Sequence, residues 1–229
     1  MEENALIIFI KTPVPGYVKT RFQPDVPKAE AVLLYSAFLN DLQKRFENQN
    51  EFICWYAVAP EEYDPQILTQ IIQSNNIFLQ SGNDLGQRMS NAIEYIFKKR
   101  FKNVVLIGSD IPHLPVQIVL HSFKLLKQKE YHLILGPAED GGYYLIGMYQ
   151  LLKDLFTDIS WSTGKVFNQT FEKAKNGNYI VHTLKQFSDV DDYLSLRALH
   201  NHLRHLDPES GDFPANTWMV LDNIIRTKN

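Results

Sequence analysis

Lys11, Lys19 and Arg21 fall within one eleven-residue segment, Lys11-Thr-Pro-Val-Pro-Gly-Tyr-Val-Lys-Thr-Arg21, directly after the first apolar run of the chain. Pro13 and Pro15 stiffen this segment, and Gly16 allows backbone to approach a ligand closely. Three cations on such a loop suit a di- or triphosphate. It is not a Walker loop, because the Gly-Lys-Ser/Thr ending is absent. A solvated loop with scattered basic residues would have the same composition.

The carboxylates that could complement those cations lie in three other places. Asp110, in Gly108-Ser-Asp-Ile-Pro112, follows an apolar run and could ligate a hard cation such as Mg²⁺ or Mn²⁺. It could equally cap a helix that begins at Pro115. The segment Glu139-Asp140-Gly141-Gly142-Tyr143-Tyr144 offers an acceptor pocket, with a carboxylate as base or as partner for sugar hydroxyls. Asp-Gly and Gly-Gly also favour a hairpin turn, so both readings stand together. Asp189-Val-Asp191-Asp192 opens a late helix. It is either a cap favoured by the helix dipole or a second source of metal ligands opposite Asp110.

A fifth segment, Gln80-Ser-Gly82-Asn-Asp84-Leu-Gly-Gln-Arg88-Met89, reads as a helix start capped by Asp84. Its amides could instead face an anion or a nucleobase. His113, His121 and His132 have no metal-ligand spacing and are read as structural.

These segments need elements to hold them. Ala5 to Ile10 is a continuous apolar run, as expected of a parallel strand buried on both faces. Residues 28–46 show helical periodicity through Ala31, Leu34, Tyr35, Phe38, Leu42 and Phe46. Strands follow at Phe52 to Val58, Ile77 to Leu79, Val104 to Ile107, His132 to Leu135, Tyr143 to Met148 and Tyr179 to Leu184. Helices are expected over 64–74, after Asp84, after Pro115, over 163–176 and from about 191 to 205. This alternation predicts a three-layer α/β/α domain around a mostly parallel sheet. In such sheets ligands gather at the carboxyl ends of the strands, where these polar segments fall. Residues 1–205 form the expected core domain. Residues 206–229 add a loop and a short helix to it, or a flexible tail.

Composition excludes several alternatives. The chain has 229 residues, 45% of them hydrophobic, enough for one sizeable core. Its net charge of -3 comes with no basic stripe of the kind nucleic-acid binding requires. Cys54 is the only cysteine, so no internal disulfide can form; it reads as a buried strand thiol. No apolar stretch approaches the roughly 20 residues of a membrane span, and the expected location is cytoplasmic.

In order, KTPVPGYVKTR, QSGNDLGQRM, VVLIGSDIPHL, LGPAEDGGYYLIGM, ISWSTGKVFNQT and DVDD resemble a bacterial family of GT-A transferase-like proteins over residues 4–197. Members of that family are often labelled glycosyltransferases, and some are linked to arsenosugar biosynthesis. The family is similar in fold to small nucleotidyltransferases, including those of the molybdenum cofactor. The resemblance implies the nucleotide-diphospho-sugar transferase fold, with the loop carrying Lys11, Pro13, Gly16, Lys19 and Arg21 on the phosphates. Gly82 and Arg88 fall where related enzymes hold base and ribose. Asp110 falls at the metal-binding position, and Asp189 and Asp191 in a late acidic motif that helps bind metal. Glu139 to Tyr143, with Trp161 and Ser162, fall on the acceptor side. The family usually continues its late motif as Asp-Val-Asp-Thr-Pro-Glu-Asp-Leu, whereas here Asp192-Tyr-Leu-Ser195 follows Asp191, so the downstream acidic position is lost.

The expected reaction is glycosyl transfer from a nucleotide-diphospho-sugar to a small-molecule acceptor. A cation on Asp110 and Asp191 and the charges of Lys19 and Arg21 would neutralise the leaving diphosphate. Asp140 or Glu139 would orient the acceptor hydroxyl or take its proton. Nucleotidyl transfer from NTP, with Lys19 at the α-phosphate, is one alternative; a non-catalytic nucleotide-binding module is another.

Overall fold

The computed structural model describes residues 3–228. Seven strands form one sheet: β1 (Asn4–Ile10), β2 (Ile53–Val58), β3 (Ile77–Leu79), β4 (Asn103–Gly108), β5 (Leu133–Pro137), β6 (Tyr143–Met148) and β7 (Val181–Thr183). Their spatial order is β3-β2-β1-β4-β6-β5-β7. All neighbours are parallel except β6, which runs antiparallel to both β4 and β5.

Alternate residues of β1 serve two cores. Leu6, Ile8 and Ile10 face the apolar stripes of α1 (Lys28–Phe46), α4 (Val116–Gln128), α6 (Tyr193–Leu203) and α7 (Ala215–Arg226). Ala5 and Ile7 face α3 (Leu85–Lys98) and α5 (Val166–Asn176), together with Leu155 and Phe156 of a 3₁₀ turn. From Ala5 to Ile10 the strand is covered on both sides, which explains its unbroken apolar run; the buried Asn4 at its start is paired with the Glu51 carbonyl and with Asn103.

One expectation changes. The helix expected over 64–74 is a five-residue α2 (Pro65–Thr69), capped by the Asp64 carboxylate on Gln66 and Ile67 N–H. Beyond it the chain continues in turns that bury Ile72 one turn after Leu68 of α2, so apolar spacing persists without a continuous helix. Residues 216–226 form a docked helix rather than a tail. Pro214 precedes α7 and supplies no side-chain cap. The carboxylate of Asp41 on α1 supplies it, accepting from Asn216 N at 3.1 Å and Thr217 N at 2.7 Å. One turn further along α1, buried Arg45 donates to the carbonyls of Pro112 (2.5 Å), Leu114 (3.3 Å) and Asp212 (2.5 Å).

The strand order reverses at β1 and β4, because β2 and β3 lie on one side of β1 and β4 on the other. Phe9 pairs with Gly108, so both strands release the chain at the same height. Antiparallel β6 contributes its start to this edge, since Leu145 pairs with Ile107 and Tyr143 with Pro137. The loops after β1, β3 and β4 and the turn between β5 and β6 therefore open on one rim.

Two predictions follow from this packing. Replacing Asp41 with Ala leaves three α7 donors without an acceptor and costs about 1–3 kcal/mol. For a chain of this length that lowers the melting temperature by roughly 2–4 °C per kcal/mol, measurable by calorimetry. His113 is held at a pKa of about 4 by burial, and secondarily by the charges of His202 and Arg45. Its folded pKa lies below the unfolded value, so the unfolded chain binds more protons between the two values. This contribution is intact above about pH 6.5 and lost as pH falls toward 4, amounting to about 2 kcal/mol by pH 5. In His113→Phe the drop in urea midpoint between pH 7 and pH 5 is correspondingly smaller.

Candidate functional site

The loop after β1 is anchored at Val18 and Phe22, both buried, and between them Lys19 takes a left-handed conformation (φ 49°, ψ 41°). That combination turns the Lys19 side chain inward; it is only 3% exposed. Its ammonium lies 2.6 Å from Asp110 Oδ1, 2.5 Å from the Val190 carbonyl and 3.3 Å from Asp191 Oδ1. The rings of Phe38 (5.3 Å), Phe22 (5.6 Å) and Tyr35 (6.0 Å) surround it on the other sides. Arg21 remains 74% exposed, with Nη1 3.6 Å from Asp191 Oδ2.

Tyr35 of α1 ties the two strand ends together. Its hydroxyl accepts from Lys11 N at 3.0 Å and shares a hydrogen bond with Ser109 Oγ at 2.9 Å. Burial, then the charge of Asp110, raise its pKa beyond the ordinary phenol range. Tyr35 and Ser109 are site residues that sequence reasoning missed. Tyr35 lies on the apolar stripe of its helix and reads there as core; the only hint was its polar tip.

The late acidic segment divides its roles. Asp192 caps α6, accepting from Ser195 N at 2.8 Å, while Ser195 Oγ accepts from Asp192 N in a capping box. That leaves Asp189 and Asp191 on the rim, where Val190 N donates to the Asp110 carbonyl at 2.9 Å. The Asp189 pKa is raised to about 6, first by burial and then by the charges of Asp191, Asp140 and Asp110. Among the described residues no three His, Cys, Asp or Glu side chains converge into a metal-holding group. The oxygens of Asp110, Asp191 and Val190 nevertheless converge on one cation, the Lys19 ammonium. Carboxylate and carbonyl oxygens are the donor set of Mg²⁺ or Mn²⁺, so the residues present fit such an ion.

The turn between β5 and β6 is a hairpin. Asp140 Oδ1 accepts from Gly142 N at 2.8 Å, and Ala138 N donates to Gly142 O at 3.0 Å. Gly141 has φ +87° and lies against the Gly164 backbone where no side chain would fit. Phe167 N donates to its carbonyl, which locks the Trp161–Gly164 segment beside the hairpin. Trp161 packs edge-on to Tyr143 at 6.4 Å and closes over Gly86.

One cavity of about 540 Å³ opens between these loops. Lys11, Lys19, Arg21, Arg88, Asp110, Asp191, Tyr143 and Ser162 line it. So do Tyr17, Tyr35, Ser109 and Tyr144. Pro13, Gly16, Gly82, Glu139, Asp140, Gly141, Gly142, Trp161 and Asp189 are not among the lining residues. Gly82 shapes the entry to α3: its φ is +137°, and a Cβ there would meet Gln87 Cβ at 2.7 Å. Arg88 lines the cavity while holding Glu61 through both Nη atoms and donating from Nε to the Gly82 carbonyl at 3.2 Å.

Several solved structures are similar to this one. A protein of Desulfovibrio desulfuricans G20, provisionally named a nucleotide-diphospho-sugar transferase, is 31% identical, with 99% of this chain and 98% of that one covered at a TM-score of 0.89. A cytidylyltransferase from Leptospira borgpetersenii serovar Hardjo-bovis is 13% identical over 100% and 95% of the two chains, at 0.57. A Mycobacterium tuberculosis H37Rv protein in complex with manganese is 11% identical over 86% and 97%, at 0.52. The last two show likeness of fold. No match is found among curated proteins. The fold is that of the nucleotide-diphospho-sugar transferases. With its family model matching residues 39–163, the chain belongs to the family described as "uncharacterized protein conserved in bacteria (DUF2064)".

Proposed function

We propose that this protein is a glycosyltransferase that takes a nucleotide-diphospho-sugar donor with Mg²⁺ or Mn²⁺ and passes the sugar to a small acceptor. The observation that carries this reading is the meeting, within 2.6–3.6 Å, of the cationic loop after β1 with the carboxylates Asp110 and Asp191. One rim thus offers both signs of charge, as a diphosphate bridged to a metal requires. A close relative in fold and sequence is provisionally named for the same donor class.

The residues take roles by position. Lys11 and Arg21 line the cavity and bind and orient the diphosphate. Asp110 and Asp191 would hold the divalent cation, which when bound supplies charge neutralisation at the departing phosphate. The α3 entry around Gly82 and Arg88 faces base and ribose. Tyr143 and Ser162 position the acceptor on the β6 side of the same cavity, beside the hairpin of Glu139 to Gly142. Asp140 or Glu139, on the hairpin beside the cavity, would orient the acceptor hydroxyl or take its proton. A cavity of about 540 Å³ matches the size range of small-ligand sites.

A second reading is nucleotidyl transfer, favoured by the fold shared with a cytidylyltransferase. Here a phosphate or phospho-sugar would attack the α-phosphate of NTP on the same cations. Incubation with both donor classes separates the readings: glycosyl transfer releases nucleoside diphosphate, nucleotidyl transfer releases pyrophosphate.

Binding is read by thermal shift of the wild-type protein with nucleotides and nucleotide-sugars, with and without Mn²⁺. A donor at 100-fold its dissociation constant stabilises the fold by about 2.7 kcal/mol. In Asp110→Ala the metal-dependent part of that shift disappears; an unchanged shift would remove Asp110 from the site. Arg21→Ala, at an exposed position, keeps the fold and weakens donor binding about tenfold, the loss of one charge-assisted contact worth roughly 1.4 kcal/mol. Equal donor affinity in Arg21→Ala and wild type, by calorimetric titration, would contradict the assignment of that loop to the phosphates.

A further inference from the structure

Lys19 differs from the other cations of the rim. Lys11 and Arg21 are exposed, whereas the Lys19 ammonium is shut off from solvent. Its three N–H bonds have three acceptors: Asp110 Oδ1, Asp191 Oδ1 and the Val190 carbonyl. The remaining directions are closed by the rings of Phe22, Tyr35 and Phe38. No proton of this ammonium is left for a phosphate oxygen while those contacts last. Two of the acceptors, Asp110 and Asp191, are also the carboxylates placed to hold a divalent cation, and both keep about two-fifths of their side chains exposed on the cavity side.

We propose that the Lys19 ammonium is a place-holder for the divalent cation: the two compete for the same oxygens of Asp110, Asp191 and Val190. This rests on the reading of the site as a metal and diphosphate site. Two positive charges drawn to the same oxygens repel one another, so each weakens the hold of the other. At the two Oδ1 atoms and the Val190 carbonyl that Lys19 occupies, the metal binds fully only once the ammonium has withdrawn. Two carboxylates brought together repel each other unless a cation lies between them, and the Lys19 ammonium fills that place. When the metal arrives with a diphosphate, the phosphate oxygens provide the displaced ammonium with new acceptors. Lys19 thereby couples metal entry to donor binding.

Two other cations of the cavity are paired as well: Arg21 lies against Asp191, and Arg88 holds Glu61. Lys19 is the one whose ammonium touches both Asp110 and Asp191.

The test uses the full chain and manganese chloride alone, with binding read by electron paramagnetic resonance of free Mn²⁺. Lys19→Met removes the competing charge and is expected to bind Mn²⁺ at least about tenfold more tightly than wild type. Lys19→Arg retains a cation and is expected to bind as weakly as wild type. Folded Lys19→Met with unchanged or weaker Mn²⁺ affinity, while wild type binds, would overturn the place-holder and leave the metal site standing. If Lys19→Met does not fold, the wild-type protein decides by NMR of the lysine ammonium groups during a magnesium chloride titration. A protected Lys19 signal that is lost or shifted in step with Mg²⁺ binding supports competition. The same signal unmoved at saturating Mg²⁺ overturns it. Binding of neither ion to wild type or to variant, with nucleotide present as well as absent, overturns both this inference and the metal-dependent reading of the site.

Discussion

The contact of the Lys19 ammonium with Asp110, Asp191 and Val190 joins three parts of the chain that are 91 and 171 residues apart from Lys19 in sequence. It is a charge network seated between an aromatic wall and an open cavity. The wall keeps the local dielectric low, so the ammonium cannot be left unpaired without large cost. The open side keeps the carboxylates wet enough to accept another ligand. A fully buried network would be inert and a fully exposed one would contribute little to stability. This one is poised between those limits, and it holds the loops after β1 and β4 to the Val190–Asp191 segment.

The sheet makes that contact possible. Had β4 been placed beyond β3, the Lys11 and Asp110 loops would open two strands apart or more. Because the order reverses at β1, the chain leaves Ile10 and Gly108 side by side, and one tyrosine hydroxyl is enough to tie both loops. The antiparallel β6 extends the same economy. A parallel strand there would have presented its end, after Met148, to the rim; running backwards, it presents Tyr143 and the glycine hairpin. The loops after β1 and β4 and the hairpin between β5 and β6 thereby share one edge without any long excursion of the chain.

Much of this was legible before the structure. The apolar run of β1 and the stripe over residues 28–46 reflect burial, which composition reports directly. Asp84 and Asp192 sit where helices begin, and capping is a local interaction that sequence encodes within four residues. The meeting of Lys19 with Asp110 was expected in kind but not in form. Spacing cannot distinguish Lys11, Lys19 and Arg21, because what separates them is the left-handed turn at Lys19 and the burial of Val18 and Phe22 on either side. Tyr35 was invisible as a site residue for a related reason. Its ring belongs to the core and only its hydroxyl belongs to the rim, and periodicity registers the ring. The length of α2 was misread because Leu68 and Ile72 are buried in helical spacing although the chain between them has already become turns.

The segment after residue 205 bears on the site from behind. Arg45 binds the carbonyls of Pro112 and Leu114, which continue directly from Asp110, and also the carbonyl and carboxylate of Asp212 in the C-terminal loop. Asp212 Oδ1 in turn accepts from Val116 N, giving α4 the cap that Pro115 does not provide. With Asp41 capping α7 from the same helix, α1 clamps the C-terminal segment against the far side of the Asp110 loop. The loop is therefore held from two directions, by Lys19 and Tyr35 toward the cavity and by Arg45 and Asp212 away from it. A carboxylate that must meet a cation within a few tenths of an ångström needs such support on both sides. The late helix is thus better understood as part of what fixes Asp110 than as an appendage to the sheet.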